Sequence, residues 1–478
     1  MPEGEAVEGT PPAKGRAVAL LAICGGAFLA FLDTTIVNTS FPDIRAGFAD
    51  ASPAELSWIL DGYFIVLAAL LVPAGGVADR LGRRRVFLAG VGFFVAASLA
   101  CALAPSWQLL VAGRVLQGIG AAVVIPASVA LLLPLFPPER RAAGVGIWGA
   151  AAALAAAIGP PLGGVLVEVA DWRWIFLVNL PLGAAVLVAG ARALEESRDP
   201  DATRMPDLPG AALAATALGL LALGLVEGNN WGWTSAEVLG SFAGAVVLTA
   251  FVGYRCVRHP RPIVDLSLFR IPSFRDGTLG TLLFSAAFFS MILGNILFLT
   301  GVWGYSVLDA GLAVAPGPLA SAIVAGPAGG LADRFGHRAV VVPGTLVYSA
   351  GLLVLRGAGL EPDYVGVWLP GQLLVGIGIG LAFPTLGAAA AADIPPGRFG
   401  VASAVTGAGR QLGAVLGTAL LIAIVGEPQS IAAAADVADD AYLFGIGGAL
   451  LAGVVALRLR PRARPAPTQV PAPDPTGG

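Results

Sequence analysis

The sequence predicts an all-α integral membrane protein of fourteen transmembrane helices, built as two six-helix halves plus an inserted two-helix hairpin. Three observations carry this reading. Of 478 residues, 56% are hydrophobic and only 12% charged, with mean hydropathy +0.81; an average soluble chain has about twice that charged share. The apolar residues gather in stretches of roughly 20, the length that crosses a hydrocarbon core about 30 Å thick. The chain also repeats itself in the same order in its two halves.

The spans follow in order. Residues 1–16 are polar and read as a cytoplasmic tail. The first apolar run, 17–38, is too long for a cleavable signal and is interrupted by Asp33, so it stays as a span. Runs at 56–77, 85–104, 107–133, 143–167 and 173–193 complete a first half over 17–193. Runs at 208–227 and 236–255 form the inserted pair, 208–255. The second half, 277–458, holds runs at 277–302, 311–331, 339–357, 364–391, 399–426 and 440–458. The Pro-rich residues 461–478 read as a disordered cytoplasmic tail. Sixty-five glycines suit helices that pack closely in lipid.

Even parity puts both termini on one side, and Lys and Arg decide which. Of the 28, three (Arg45, Arg173, Arg356) fall in outer loops and two (Arg114, Arg410) within spans. The rest, including Arg83, Arg85, Arg140, Arg255 and Arg338, lie in loops and tails that are then cytoplasmic. Outer loops carry acids instead, among them Asp171, Asp309 and Glu427.

The repeat is explicit. GGVADRLGRRRV, from Gly75 to Val86, returns as GGLADRFGHRAV from Gly329 to Val340. GRVLQGIG, from Gly113 to Gly120, returns as GQLLVGIG from Gly371 to Gly378. Parallel repeats of this size mark a two-domain transporter whose substrate site lies between the halves near the midplane.

Composition and motifs exclude other classes. A net charge of −3 and no basic face with interleaved aromatics argue against nucleic acid. A P-loop needs a Lys, and Lys14 lies in the polar tail, so no nucleotide is expected. His259 and His337 are the only histidines, both on the inner side, and Cys24, Cys101 and Cys256 have no metal-type spacing. The reading is therefore neither an enzyme nor a metalloprotein; it is a monomer whose partners are a small-molecule substrate, protons and the bilayer. No cofactor is expected, the drive being the proton gradient.

These segments resemble the major facilitator superfamily, in particular its fourteen-span drug/proton antiporters of the EmrB/QacA type. LDTTIVN from Leu32 to Asn38 is similar to a first-helix motif of that branch, and the stretch from Gly76 to Arg85 to the superfamily's inner loop. RVLQGIG from Arg114 is similar to the fourth-helix motif, GPPLGG from Gly159 to the antiporter motif of helix 5, and WRWIFLVNLPLG from Trp172 to a sixth-helix motif. The resemblance implies the major facilitator fold and alternating access. It implies a latch at Gly76, Asp79, Arg80, Gly82 and Arg84, and an antiporter motif at Gly159, Pro160, Gly163 and Gly164. The function expected is proton-coupled export of small amphipathic compounds such as drugs, antibiotics or toxic metabolites. An uptake symporter for a sugar or organic anion is the alternative within the superfamily, and a non-transporting membrane sensor the alternative outside it.

Three charges reach the outer-middle layer of the first half. Asp33 lies about 16 residues into its helix, roughly 24 Å from the inner surface, and Arg114 roughly 10 Å from the outer one; Asp61 enters from outside at a similar level. A carboxyl group within a membrane helix marks a proton, ion or substrate site. Asp33 is thus the expected proton-coupling acid, Arg114 its partner and Asp61 an accessory site; a static pair locking two helices is the competing reading. Asp61 departs from the family, which usually has an uncharged residue there. The Gly159-xxx-Gly163 spacing lets another helix approach closely and could seal the cleft between the halves. Substrate-cavity candidates are Asn38, Gln117, Asn295, Gln372, Arg410 and Gln411. Arg410 either meets an anionic group or packs against helix carbonyls.

Overall fold

The computed structural model describes residues 13–137, 141–199, 205–260, 262–395, 398–426 and 430–459. Arg140, Glu427 and the C-terminal tail lie outside the described residues, as does most of the N-terminal tail. Fourteen helices are long and apolar enough to cross a membrane. In chain order they are α1 (Gly15–Thr39), α2 (Pro53–Leu81), α3 (Arg83–Ala102), α4 (Trp107–Leu135), α5 (Gly146–Val169), α6 (Trp174–Ala193) and α7 (Leu208–Val226), then α8 (Ala236–Arg258), α9 (Pro272–Gly301), α10 (Val307–Phe335), α11 (Arg338–Leu355), α12 (Tyr364–Ala391), α13 (Val401–Val425) and α14 (Ile431–Ala456).

Helix starts follow from local chemistry. Free N–H groups at a helix N-terminus need acceptors, and Ser or Asp side chains supply them at α2, α4, α7, α8, α10 and α14 through Ser52, Ser106, Asp207, Ser235, Ser306 and Ser430. Ser52 forms a full capping box with Glu55. The turn between α2 and α3 needs Gly82 at φ 119°, a conformation that costs glycine no steric penalty.

Several spans extend a few residues past the hydropathy runs, as α9 does from Pro272 rather than 277, and two departures are larger in kind. The last span begins at Ile431 rather than 440, because Ser430 caps an Ala-rich turn that hydropathy alone scores weakly. α10 is two pieces, Val307–Val314 and Pro316–Phe335, joined at Ala315. Pro316 cannot donate an amide hydrogen, so the helix ladder is interrupted there.

The six helices α1–α6 pack around one core and most of α9–α14 around another. The seam between them runs chiefly along α2 with α13 and along α5 with α10. Leu293, Val415 and Ala419 of the second half share the first core with Leu60 and Phe64. Phe64 meets Phe289 edge-to-face at 5.1 Å, and Phe289 continues through Phe288 to Phe383, at 5.1 and 5.5 Å. An aromatic row therefore joins α2 of the first half to α9 and α12 of the second. The hairpin α7–α8 lies beside this seam, α7 packing on α2 and α13, with Asn229 donating to the Ala423 carbonyl at 2.7 Å.

At the face that carries the arginine-rich loops, called here the basic face, Arg255 of α8 grips Asp207 ahead of α7 at 2.6 and 3.1 Å. Hydrogen bonds from Arg255 hold the Asp207 carboxyl below its ordinary 3.8; burial opposes them and the Gly210 N–H assists. For such a depressed carboxylate, the clamp's stability is fully present above 3.8 and is lost as pH falls through the lowered value. Asp207→Ala removes both the cap and the clamp. Amide exchange over residues 208–212 should then rise by about fivefold or more at pH 7, and wild type should show the same rise only below the ordinary carboxylate range.

Candidate functional site

Asp33 on α1 and Arg114 on α4 form an ion pair whose side chains are both 0% exposed. Arg114 Nη1 donates to Asp33 Oδ2 and to Gln117 Oε1, the latter at 2.8 Å, and Nε donates to the Ile59 carbonyl at 3.0 Å. The other Asp33 oxygen accepts from Gln117 Nε2 and Asn179 Nδ2, each at 3.0 Å. Every contact to the carboxyl is a donor, the set that an ionised carboxylate takes. Ser98 and Cys101 of α3 close the cluster by bonding Gln117. Tyr63 of α2 lies 4.3 Å beneath the guanidinium, a cation–π contact. One network thus gathers α1, α2, α3, α4 and α6.

Asp61 does not join it. Ile59 and Tyr63 are four apart and face Arg114, so Asp61, two residues from either, points to the other side of α2. It is fully buried, with the Ser57 hydroxyl one turn back on its own helix as its one polar neighbour and no partner from another helix among the described residues. It sits one turn before Phe64, on the face that meets the second half.

The cavity candidates scatter. Gln117 belongs to the charge network. Asn38 donates to the Thr34 carbonyl of its own helix, and its Oδ1 is buried without a partner. Asn295 is internal to the second half: it donates to Met291 Sδ and accepts from Tyr442 of α14 at 3.0 Å. Its place is a helix contact between α9 and α14 rather than the seam. Gln372 Nε2 and Gln411 Oε1 are buried without partners. Arg410 is half-buried on α13, its guanidinium 5.4 Å from the Phe31 ring of α1.

The basic-face loop folds on its own half. Asp79 pairs with Arg83 at 2.8 Å. Arg84 donates to the Ala191 carbonyl, and Glu196 accepts from the Arg84 and Arg85 amides. Gly82 lies against Glu196 and Gly76 against Pro206. The partners of this loop belong to α6 and the segment leading to α7, not to the second half, and Arg80 stays at the loop without entering these bonds.

The helix-5 glycines divide their work. Gly159 abuts Thr35 and Gly163 abuts Ile36 and Ser40, so the Gly159-xxx-Gly163 face packs on α1 within the first half. Contact across the seam falls to Gly164, which meets the Leu308 backbone, and to Gly311, which meets the Pro160 carbonyl. Both lie on the face opposite the arginine loops. Toward the basic face, Gly146 and Gly149 of α5 and Gly326, Gly329 and Gly330 of α10 have no heavy atom within 4 Å of a would-be Cβ. The close backbone contacts between α5 and α10 thus lie at the end away from the arginine loops, while these glycines face open space.

Ser98, Tyr63 and Asn179 carry the charge network; sequence offers Tyr63 only as one aromatic that could line an apolar pocket and Asn179 only within the sixth-helix motif, and neither as a partner of Asp33 or Arg114. Asn179 had a usable signal, a polar residue inside an apolar span beside Pro181; Tyr63 had none beyond its spacing from Ile59.

The model of the Major Facilitator Superfamily matches residues 23–418 and 278–476. Multidrug resistance protein Stp of Mycobacterium tuberculosis (strain CDC 1551 / Oshkosh) is 37% identical over 411 residues, 85% of this chain and 75% of its own. The methylenomycin A resistance protein of Streptomyces coelicolor is 36% identical over 428 residues, 86% and 87% respectively. The tetracenomycin C resistance and export protein of Streptomyces glaucescens is 34% identical over 405 residues, 84% and 74%. Among solved structures, a bacterial homologue of the human lysosomal transporter Spinster aligns with a TM-score of 0.64 at 17% identity, over 94% of this chain and 98% of its own.

Because Gly164 leaves no room for a side chain, Gly164→Val should force the closed end of the seam apart. Spin labels at Glu168 and Leu312 should report a longer distance in the variant than in wild type; an unchanged distance would show that the seam yields elsewhere.

Proposed function

The chain belongs to the Major Facilitator Superfamily, and we propose that it exports small amphipathic compounds in exchange for protons, as an antiporter with its basic face in the cytoplasm. The single observation that carries this is the sealed Asp33–Arg114 pair in the first half. The bias of Arg toward one face supports the orientation, and relatives named for resistance and export support the direction of transport.

The mechanism follows from the pair's energetics. A buried carboxylate is tolerated because Arg114, Gln117 and Asn179 compensate it; separating it from them makes proton uptake the cheaper way to neutralise it. Rocking of the halves that moves α1 against α4 therefore alternates a charged, paired Asp33 with a protonated, released one. Arg keeps its charge throughout, so the freed guanidinium is the counterpart that must be re-paired before the next cycle. The aromatic row through Phe64, Phe289, Phe288 and Phe383 offers an apolar wall for cargo between the halves. Asp61, buried on the same seam, is proposed as the accessory proton site.

A static clamp and a coupling acid make different predictions. Asp33→Asn leaves a buried guanidinium uncompensated, at a cost of about 3 kcal/mol or more, and should abolish gradient-driven efflux in proteoliposomes. The double variant Asp33→Asn/Arg114→Gln should regain much of the lost thermal stability yet still fail to pump. Recovery of gradient-driven efflux in the double variant would reduce the pair to a structural lock.

A further inference from the structure

The spans hold two arginines away from their ends, and they are treated differently. Arg114 is enclosed and spends its charge on Asp33. Arg410 is about 9 residues, or roughly 14 Å, into α13 from its Val401 end at the basic face. No carboxylate pairs with it among the described residues, the remaining ion pairs being Asp79–Arg83, Glu196–Arg85, Asp171–Arg173, Asp207–Arg255, Asp276–Arg275, Asp439–Arg356 and Asp265–Arg398. Its one contact of note is the Phe31 ring, 5.4 Å away on the first half. Phe31 in turn stands edge-on to Trp148 of α5 at 5.9 Å. All three residues are half-buried, and Trp148 lies on the same turns of α5 as Gly146 and Gly149, which face open space.

A guanidinium at this depth without a counter-charge is costly, and cation–π contact with one ring answers only part of its need. Its planar fork of donors matches a carboxylate in two-point geometry. The flanking rings suit an aromatic body in offset or edge-on packing. We propose that Arg410 anchors an anionic group on the cargo, with Phe31 and Trp148 holding the ring system, so that aromatic acids are preferred over aromatic cations. This deepens the export reading and rests on it. The cargo supplies the charge that the second half lacks, and a cation at the same place meets like-charge repulsion.

Fluorescein and rhodamine 6G share a xanthene–phenyl body and differ in the sign of their charge. Binding of each to the full chain in nanodiscs, read by fluorescence anisotropy at pH 7.5, tests the proposal. Wild type should bind fluorescein more tightly. Arg410→Gln should weaken fluorescein by about tenfold or more while changing rhodamine 6G by less than about twofold, and Arg410→Lys should keep the preference in reduced form. Wild type that prefers rhodamine 6G or binds neither dye overturns the anchor, as does equal weakening of both dyes in Arg410→Gln. Should the Gln variant not fold, Arg410→Lys decides: an undiminished fluorescein preference overturns the bidentate anchor. Proton-driven efflux in proteoliposomes is scored separately. Efflux without charge preference sinks the anchor alone, whereas absence of gradient-driven efflux of either dye sinks the export reading.

Discussion

A single carboxylate–guanidinium contact, sealed from water inside lipid-spanning helices, constrains the first half more than any other interaction. Asp33 and Arg114 each need compensation, and neither obtains enough from the other alone. The surrounding groups come from four helices, Ile59 and Tyr63 on α2, Ser98 and Cys101 on α3, Gln117 on α4 and Asn179 on α6, which with Asp33 on α1 make five. The arrangement of those helices is thus bound to one charge state. A change in protonation at Asp33 is felt by all five, which is what coupling an ion to a shape change requires.

The second half is held by other means. Tyr348 bonds the Ala287 carbonyl, Tyr442 bonds Asn295 and Trp368 bonds the Ala313 carbonyl, neutral contacts set among aromatic packing. Gln372 takes the place that Arg114 holds in the other repeat, and its amide nitrogen has no hydrogen-bond partner among the described residues. The buried charge network thus belongs to the first half, while the second half's ion pairs, such as Arg356–Asp439, are partly exposed. Arg410 is the exception, a fixed charge placed where the halves face each other.

The fourteen spans and the two-fold repeat were legible because hydropathy and repeated loop motifs are local, one-dimensional signals. The Asp33–Arg114 contact was legible from depth along two antiparallel helices. Rotation about a helix axis was harder: Asp61 shares the depth of the pair but lies some 200° from Ile59, so it turns away. Partner identity was harder still. The Gly159-xxx-Gly163 spacing announces a close helix contact without saying that α1 makes it, and Asn295 looks like a cavity residue until Tyr442, far along the chain, is found bonded to it. The interruption at Ala315 was hidden because Pro316 sits in an otherwise unbroken apolar run.

That interruption has a mechanical consequence. The shorter piece of α10 is wedged against α5 backbone to backbone, where Leu308 and Gly311 meet Gly164 and Pro160. The longer piece, beginning at Pro316, carries the glycines that stand clear. A missing ladder bond between the two makes Ala315 a fulcrum: the far arm of the helix can swing toward α5 without dislodging the near one. Travel of the second half is thereby confined to one end of the molecule at a time, because the joint that frees one arm lies next to the contact that pins the other.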